Sequence, residues 1–176
     1  YGTVWAATDC KLHHLAPGEN SWTEVNFCST DSVEIVTDMI IISDTIYIGT
    51  TDSGVRAIGY SPSNNASNLS NISIDSNARW STANYLTSNS ITQLEKLNSN
   101  LLIATIGGGV NRYDMVADTW LATWSTNYWL SSNVVRGLAL TEDWLHILAG
   151  STVHAYDTGA LLFRSQRQVT DMSLLN

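Results

Sequence analysis

The chain has 176 residues, of which 44% are hydrophobic, and this is enough to bury one substantial core. Sixteen acidic residues against eight basic ones give a formal net charge of −8. A nucleic acid is therefore disfavoured as a partner, because its phosphates would meet net repulsion. The longest apolar runs, such as Met39–Ile42 and Leu101–Ile106, are far shorter than the roughly 20 residues that cross a bilayer, so no membrane span is predicted.

The first predicted element is a hairpin whose turn contains Pro17-Gly-Glu19. If the turn is centred near Gly18 or Glu19, residues that face each other have numbers that add to about 37 or 38, which places Cys10 opposite or nearly opposite Cys28. A cross-strand disulfide between these two cysteines is predicted. Two buried free thiols are the alternative, because a single cysteine pair in a non-secreted protein normally stays reduced.

Four copies of one unit of about 44 residues follow one another along the chain. Each copy contains a short strand rich in β-branched or aromatic residues, followed by a turn and a second such strand. The segments that repeat in this way are Thr3–Thr8 with Lys11–Leu15, Thr45–Thr50 with Gly54–Ile58, Asn100–Thr105 with Gly109–Asp114, and Trp144–Ala149 with Thr152–Asp157. No segment carries a convincing helical period.

Within a copy the order is four strands, here labelled a to d, separated by turns, which is typical of a β-propeller blade. The distance from the anchor of strand a to the end of strand b is 15 residues for Ile35 to Thr50 and 14 for both Ile91 to Thr105 and Val135 to Ala149. The sequence therefore predicts one all-β propeller domain of four four-stranded blades over residues 1–176. The blades comprise approximately residues 1–30 with 169–176, then 31–86, 87–130 and 131–168.

The two ends of the chain complement each other in this pattern. Val169–Asn176 is typical of a strand a with no strand b after it, and Tyr1–Thr8 of a strand b with no strand a before it. The C-terminal strand is therefore predicted to complete the first blade and cover its edge. Four blades could close within one chain, two chains could pair head to tail as an eight-bladed ring, or the residues could be part of a longer propeller. The homodimer is preferred, because a four-bladed ring has a tight centre and less core per residue.

The third copy carries a family resemblance. The run from Leu102 to Asp114, with Leu-Ile-Ala-Thr followed by Gly-Gly-Val-Asn-Arg-Tyr-Asp, resembles the two-component-regulator propeller repeat, as does the Ser-Asn that precedes strand a. The similarity covers essentially the whole chain and is strongest in the third and fourth copies. It implies a propeller in a secreted or periplasmic protein, and it implies no catalytic residue within the repeat.

Candidate ligand-binding residues are those on predicted loops or outside the repeated positions. Aromatic residues that recur in each copy, such as Trp80 with Trp124 and Trp120 with Phe163, are expected to pack between blades, whereas Tyr85, Tyr128 and Trp129 are candidates for a contact surface. Asp9 and Asp52 lie in the loops between strands b and c. We expect these loops to meet the loops between strands d and a, which contain Asn89 and Asn133, on one face of the ring.

No metal site or cofactor is predicted. The spacing of the four histidines matches no zinc pattern, and His13 and His154 occupy equivalent positions of strand c, which favours a role in the repeat. The segment Ser61–Asn77 lengthens the second blade and carries three glycosylation sequons at Asn65, Asn68 and Asn71. A long, polar surface loop is the preferred interpretation of this segment.

The sequence favours a non-enzymatic binding module that contacts a protein or a glycan, in a secreted or periplasmic location. A carbohydrate-active hydrolase or lyase is the alternative, with Asp38, Glu95 or Asp171 as acids at the mouth of the ring. That chemistry requires two carboxylates about 5 to 10 Å apart. The fold alone does not decide between the two functions.

Overall fold

The computed structural model describes residues 4–15, 18–28, 34–59 and 79–168, and their regular structure consists of β-strands. The strands are β1 (Val4–Thr8), β2 (Lys11–Leu15), β3 (Thr23–Asn26), β4 (Val36–Ile42), β5 (Thr45–Thr50), β6 (Val55–Gly59), β7 (Arg79–Trp80), β8 (Ile91–Leu97), β9 (Asn100–Thr105), β10 (Gly109–Asp114), β11 (Thr119–Trp124), β12 (Val135–Leu140), β13 (Trp144–Ala149), β14 (Thr152–Asp157) and β15 (Leu162–Gln168). In these ranges no helix has the length and apolar character required to cross a membrane.

The strands form four antiparallel sheets that follow one another along the chain, with orders β1-β2-β3, β4-β5-β6-β7, β8-β9-β10-β11 and β12-β13-β14-β15. This arrangement confirms the four-bladed propeller architecture. We number the blades 1 to 4 in this order. The strand Val169–Asn176, assigned to blade 1 on the sequence pattern, lies outside the described residues, as do Asn65, Asn68, Asn71 and Asp171. How the ring closes, and with how many chains, stays a prediction.

Strand a begins at the same register in each of the three blades for which the structure describes it. Val36 pairs with Thr50, Ile91 with Thr105 and Val135 with Ala149, and a β-bulge follows each of these pairs. The expectation that Ile35 anchors blade 2 is therefore wrong by one residue. Ile35 is half exposed and its carbonyl accepts a hydrogen bond from the Thr51 N–H in the next loop, so it precedes the sheet.

The hydrophobic core lies between successive blades. Strand b is the most buried part of each blade, and in β9 the four residues Leu101 to Ala104 are fully buried on both faces of the sheet. Burial of both faces follows because a blade packs on either side, as it does for interior strands of other layered sheets. Three clusters of buried residues, centred on Leu12 with Ile48, Leu101 with Ile103, and Leu145 with Ile147, join the blades in chain order.

Polar side chains also join the strands a of neighbouring blades, just after each bulge. Asp38 Oδ2 accepts a hydrogen bond of 2.7 Å from the Leu94 N–H of blade 3. Gln93 repeats this contact with blade 4, accepting from the Leu138 N–H at 2.7 Å and donating to its carbonyl at 2.9 Å. Blade 4 has Gly137 at the equivalent position, beside an apolar groove of about 230 Å³. The groove lies on the side of blade 4 that faces away from blade 3. The sequence pattern places blade 1, of the same or a second chain, on this side.

Antiparallel order sorts the connections onto two faces. The loops from strand b to c and from strand d to the next strand a lie on one face, which we call the b–c face. The turns from a to b and from c to d lie on the other, which we call the a–b face. These connections are residues 9–10, 51–54, 106–108 and 150–151 with 81–90 and 125–134 on the b–c face, and 43–44, 98–99 and 141–143 with 115–118 and 158–161 on the a–b face.

The N-terminal hairpin has the register that its turn predicted, since Lys11 pairs with Asn26. The structure links Cys10 to Cys28 through a disulfide whose Cα atoms are 5.0 Å apart. The Cys10 sulfur also accepts a hydrogen bond of 3.1 Å from the Glu34 N–H, which connects blade 1 to the start of blade 2. The disulfide therefore lies at a blade junction.

We expect the purified, unreduced protein to resist alkylation at both cysteines, because the two thiols are joined. Mass spectrometry after iodoacetamide treatment in denaturant should show an unmodified chain. The same treatment after reduction should add two labels. Two labels without prior reduction would contradict the pairing.

Candidate binding face

The five candidate ligand-binding residues all lie in connections of the b–c face, but on different blades. Asp9 follows β1, Asp52 follows β5, Tyr85 precedes β8, and Tyr128 and Trp129 precede β12. The structure therefore places them along one face of successive blades instead of around a single cavity. A partner that contacts several of them must be larger than a small molecule.

Hydrogen bonds between the loops fix the shape of this face. The Gly54 N–H donates to the Asn89 carbonyl, and the Gly107 and Gly109 N–H groups donate to the Asn133 carbonyl. Each bond joins a b–c loop to the d–a connection that leads into the next blade. The side chain of Asn133 in turn accepts the Thr126 N–H at 2.7 Å. The two sets of loops meet on one face, and their backbone is ordered by neighbouring blades.

Trp129 is the most unusual residue on this face. Its side chain is 64% exposed, and its backbone has a φ of 78°, in the left-handed region that residues other than Gly rarely adopt. The turn around it explains how this conformation is held, because the Tyr128 and Leu130 N–H groups both donate to the Ser125 carbonyl, at 2.8 and 3.0 Å. The indole lies flat against Phe163 of β15, with centroids 5.9 Å apart and planes 18° apart.

Tyr85 makes the same contact one blade earlier. It is 52% exposed and stacks on Trp120 of β11 with a centroid distance of 5.4 Å and an interplanar angle of 10°. Tyr128 is 58% exposed beside Trp129. One ring of each stacked pair is thus held in place by the next blade while much of its surface stays in water.

The recurring aromatic residues pack between blades, as their repetition predicted. Trp80 of blade 2 contacts Trp120 of blade 3 at 5.2 Å, and Trp124 of blade 3 contacts Phe163 of blade 4 at 5.3 Å. The Arg112 guanidinium lies 4.5 Å from the centre of the Trp124 ring, a cation–π contact. Burial lowers the pKa of Arg112 from its ordinary value. These rings are structural, whereas Trp22, which shares the repeat position of Trp120 and Phe163, is 48% exposed. The exposed rings of the b–c face are Tyr85, Tyr128 and Trp129.

The carboxylates of the b–c face are solvated. Asp9 and Asp52 are both exposed, and Asp52 accepts a hydrogen bond from the Ser53 hydroxyl at 3.2 Å. Over the described ranges, no group of three or more His, Cys, Asp or Glu side chains is placed to hold a metal ion. The two aspartates can serve as hydrogen-bond acceptors for hydroxyl or amide groups of a partner.

Two of the acids suggested for catalysis have structural contacts. Asp38 uses both carboxylate oxygens on backbone N–H groups, those of Met39 at 2.8 Å and Leu94 at 2.7 Å. Glu95 accepts the Lys96 N–H at 3.1 Å. Asp38 therefore joins blades 2 and 3, and neither of its carboxylate oxygens is free of a backbone contact.

Sequence reasoning missed a buried ion pair in blade 2. Glu34, which is fully buried, accepts two hydrogen bonds from the Arg56 guanidinium, one of them at 2.9 Å from Nε. At the position of Arg56, blades 3 and 4 carry Asn111 and His154, which contact the hydroxyl groups of Thr87 and Ser131 instead. Two charged residues where other copies have neutral ones were the signal that could have revealed the pair.

His154 illustrates the neutral form of the same contact. Its Nε2 accepts the Ser131 N–H at 3.1 Å, and the residue is fully buried. Burial lowers its pKa from the ordinary value, because the charged imidazolium would be poorly solvated there. The ring is therefore a packing and hydrogen-bonding residue, as its equivalence to His13 indicated.

Fold and face together define a propeller-blade domain with an exposed aromatic surface. Solved structures with the same fold include the extracellular domains of two regulators from B. thetaiotaomicron named as hybrid two-component systems. One is 16% identical with a TM-score of 0.67 over 88% of this chain, and the other 14% identical with a TM-score of 0.70 over 99%. The WD40 domain of coronin from Toxoplasma gondii is 9% identical, with a TM-score of 0.60 over 94% of the chain.

The chain spans about a fifth to a quarter of the two regulator structures, 20% and 23%, and 43% of the coronin structure. It thus corresponds to a few blades of larger propellers. Comparison with protein-family models and with curated proteins finds no match. At these identities the likeness shows the fold.

Proposed function

We propose that the protein is a non-enzymatic, extracellular binding module that contacts a protein or glycan partner through the aromatic residues of its b–c face. The observation that carries this proposal is Trp129. Two features of this residue destabilise the folded protein: the indole is 64% exposed to water, and the backbone is held at a φ of 78°. Contact with a partner accounts for a tryptophan at such a position.

The neighbouring aromatic residues extend the surface. Tyr85 and Tyr128 are each more than half exposed, at 52% and 58%. Their ring faces can pack on the C–H faces of a sugar or on apolar side chains, and the tyrosine hydroxyls can hydrogen-bond at the same time. Aromatic residues held by a rigid scaffold lose little entropy on binding, which is why they are frequent in binding surfaces.

An extracellular location is supported by two independent features. The disulfide of blade 1 is of a kind that persists in oxidising compartments. Two of the structures with the same fold are extracellular domains of regulators. A role within a larger sensor is compatible with the small share of those chains that this one spans.

A binding role is favoured over catalysis because Asp38, one of the acids suggested for catalysis, is engaged in structural contacts. Asp38 is not free to transfer a proton to a substrate, since both of its carboxylate oxygens are held by backbone N–H groups. Asp9 and Asp52 lie on loops of two different blades. The b–c face therefore offers hydrogen-bond acceptors and aromatic rings to a partner.

We expect Trp129→Gly to abolish partner binding while the protein stays folded. Glycine adopts a φ of 78° with little strain, which stabilises the folded protein by about 1 kcal/mol. This gain in stability offsets the loss of the stack on Phe163, which costs about 1 kcal/mol. Binding is measured on a glycan array and on an array of extracellular proteins, and folding by thermal melts. The matched control is Leu161→Gly, since Leu161 also has a positive φ of 56° and is 63% exposed, but lies on the a–b face.

The wild type and Leu161→Gly should select the same partners, and Trp129→Gly should lose them. Equal binding by all three proteins would overturn the assignment of the b–c face. Turnover of any glycan on the array would overturn the non-enzymatic role.

A further inference from the structure

A second cleft lies on the opposite, a–b face, between the turns that join strands a and b in blades 2 and 3. Its volume is about 310 Å³, at the lower end of the range for small-molecule sites. The apolar part of its lining consists of Ile42, Tyr47, Met115 and Val116. The polar part consists of Ser43, Thr45, Lys96, Asn98 and Ser99. None of the five b–c face candidates contributes to this lining.

Lys96 is the charged residue of this lining, and it departs from the repeat. Blades 2 and 4 carry Ile41 and Leu140 at the same register position, where they are 41% and 40% exposed. Lys96 makes no ion pair with any residue that the structure describes. It is one of two lysines in a chain of net charge −8. A cation without a carboxylate partner, in so acidic a protein, is available to an anionic ligand.

The remaining groups of the cleft are neutral and hydrogen-bonding. The hydroxyls of Ser43, Thr45 and Ser99 can each donate and accept, and the Asn98 amide can do both. Tyr47 is 8% exposed, and both burial and the nearby Asp118 carboxylate raise the pKa of its phenol, which stays protonated in hydrogen-bond contact with Thr45. The lining therefore presents one positive charge, several hydroxyl-type partners and a small apolar wall, and the negative charge of Asp118 nearby opposes a doubly charged ligand.

The charge and the hydrogen-bonding groups of the cleft favour some classes of anion over others. A phosphate monoester carries nearly two charges and is usually bound by guanidinium groups or several backbone N–H groups. A single ammonium group can pair with a single carboxylate, and the hydroxyl groups of the lining can form hydrogen bonds with a polyol. We propose that this cleft binds a small hydroxylated carboxylate of the sugar-acid class, with Lys96 on the carboxylate. This site is separate from the b–c face and does not depend on the function proposed for it.

The proposal is tested by titrating the full chain with sodium D-glucuronate in an isothermal calorimeter. D-glucose serves as the neutral probe and inorganic phosphate as the charge-only probe. We expect saturable glucuronate binding that Lys96→Met weakens roughly tenfold or more, since an ion-assisted hydrogen bond is lost while the aliphatic stem is kept. Lys11→Met is the matched control, because the other lysine pairs with Glu24 at 2.8 Å on blade 1.

Loss in Lys96→Met with retention in Lys11→Met and in Trp129→Gly supports the site. No saturable glucuronate binding by the wild type would overturn it. Equal affinity for glucose and glucuronate, tighter binding of phosphate, or equal weakening in both lysine variants would do so as well. Because Trp129→Gly should bind glucuronate normally, failure of the b–c face assignment is distinguishable from failure of this one.

Discussion

Glu34→Ala should reduce the free energy of unfolding by about 3–5 kcal/mol, the usual cost of removing one partner of a buried ion pair. Glu34 is fully buried, and the Arg56 side chain that it binds is only 14% exposed. Without the carboxylate, the guanidinium would remain in the protein with neither a counter-charge nor full hydration. Urea denaturation followed by tryptophan fluorescence measures the loss.

The control is Glu24→Ala, which breaks the pair of Lys11 and Glu24, whose side chains are 46% and 51% exposed. It should cost no more than about 1 kcal/mol, because water solvates both charges. A double variant, Glu34→Leu with Arg56→Met, should recover much of the lost stability, since it removes both buried charges. If Glu34→Ala is no worse than Glu24→Ala, the buried pair is not the determinant that its geometry indicates.

Gly109→Ala is expected to cost about 2–5 kcal/mol, from a left-handed backbone and from steric overlap. The φ of Gly109 is 80°, and a Cβ there would lie 2.1 Å from the Trp124 carbonyl oxygen on the next strand. That oxygen is backbone, so relief requires β10 and β11 to separate. The Gly109 N–H also donates to Asn133, so the shift would reach the b–c face of blade 4.

Gly107→Ala is the matched control for this prediction. Gly107 has a φ of 93° in the same loop, but a Cβ at this residue would have no other atom within 4 Å. It should therefore lose only the conformational part, about 1–2 kcal/mol. Thermal melts of both variants give the comparison, and similar losses for the two would show that the close approach to Trp124 is unimportant.

The blade pattern could be predicted from sequence because strand b must be apolar on both faces. Segments such as Thr45–Thr50 and Asn100–Thr105 are largely apolar without alternation, and their predicted bounds as strands agree with the structure. The sequence pattern misplaces the anchor at Ile35 because Ile35 and Val36 are adjacent aliphatic residues, and an aliphatic residue just before a strand has the same composition as one within it. The 14-residue spacing of blades 3 and 4, applied to Thr50, gives Val36, as the structure does.

The details of the candidate site were less predictable. The sequence pattern assigns Tyr85 and Trp129 to positions outside the repeat, whereas the structure shows them at equivalent positions, stacked on Trp120 and Phe163 of the next blade. The left-handed backbone of Trp129 depends on hydrogen bonds to Ser125 that no side-chain pattern encodes. The sequence suggests Asp38 as an acid for catalysis, because nothing in the chain near it indicates that Leu94, 56 residues later, holds its carboxylate.

The contacts made by Asp38 and Gln93 also bear on the order in which the blades can mature during synthesis. Asp38 finds its partner N–H 56 residues later in the chain, and Gln93 finds its own 45 residues later. On a ribosome, blades 2 and 3 must therefore each wait for strand a of the following blade to emerge before this polar contact can form. Folding should lag translation by about one blade, and a nascent chain halted within blade 3 should expose a blade 2 that proteases can still attack.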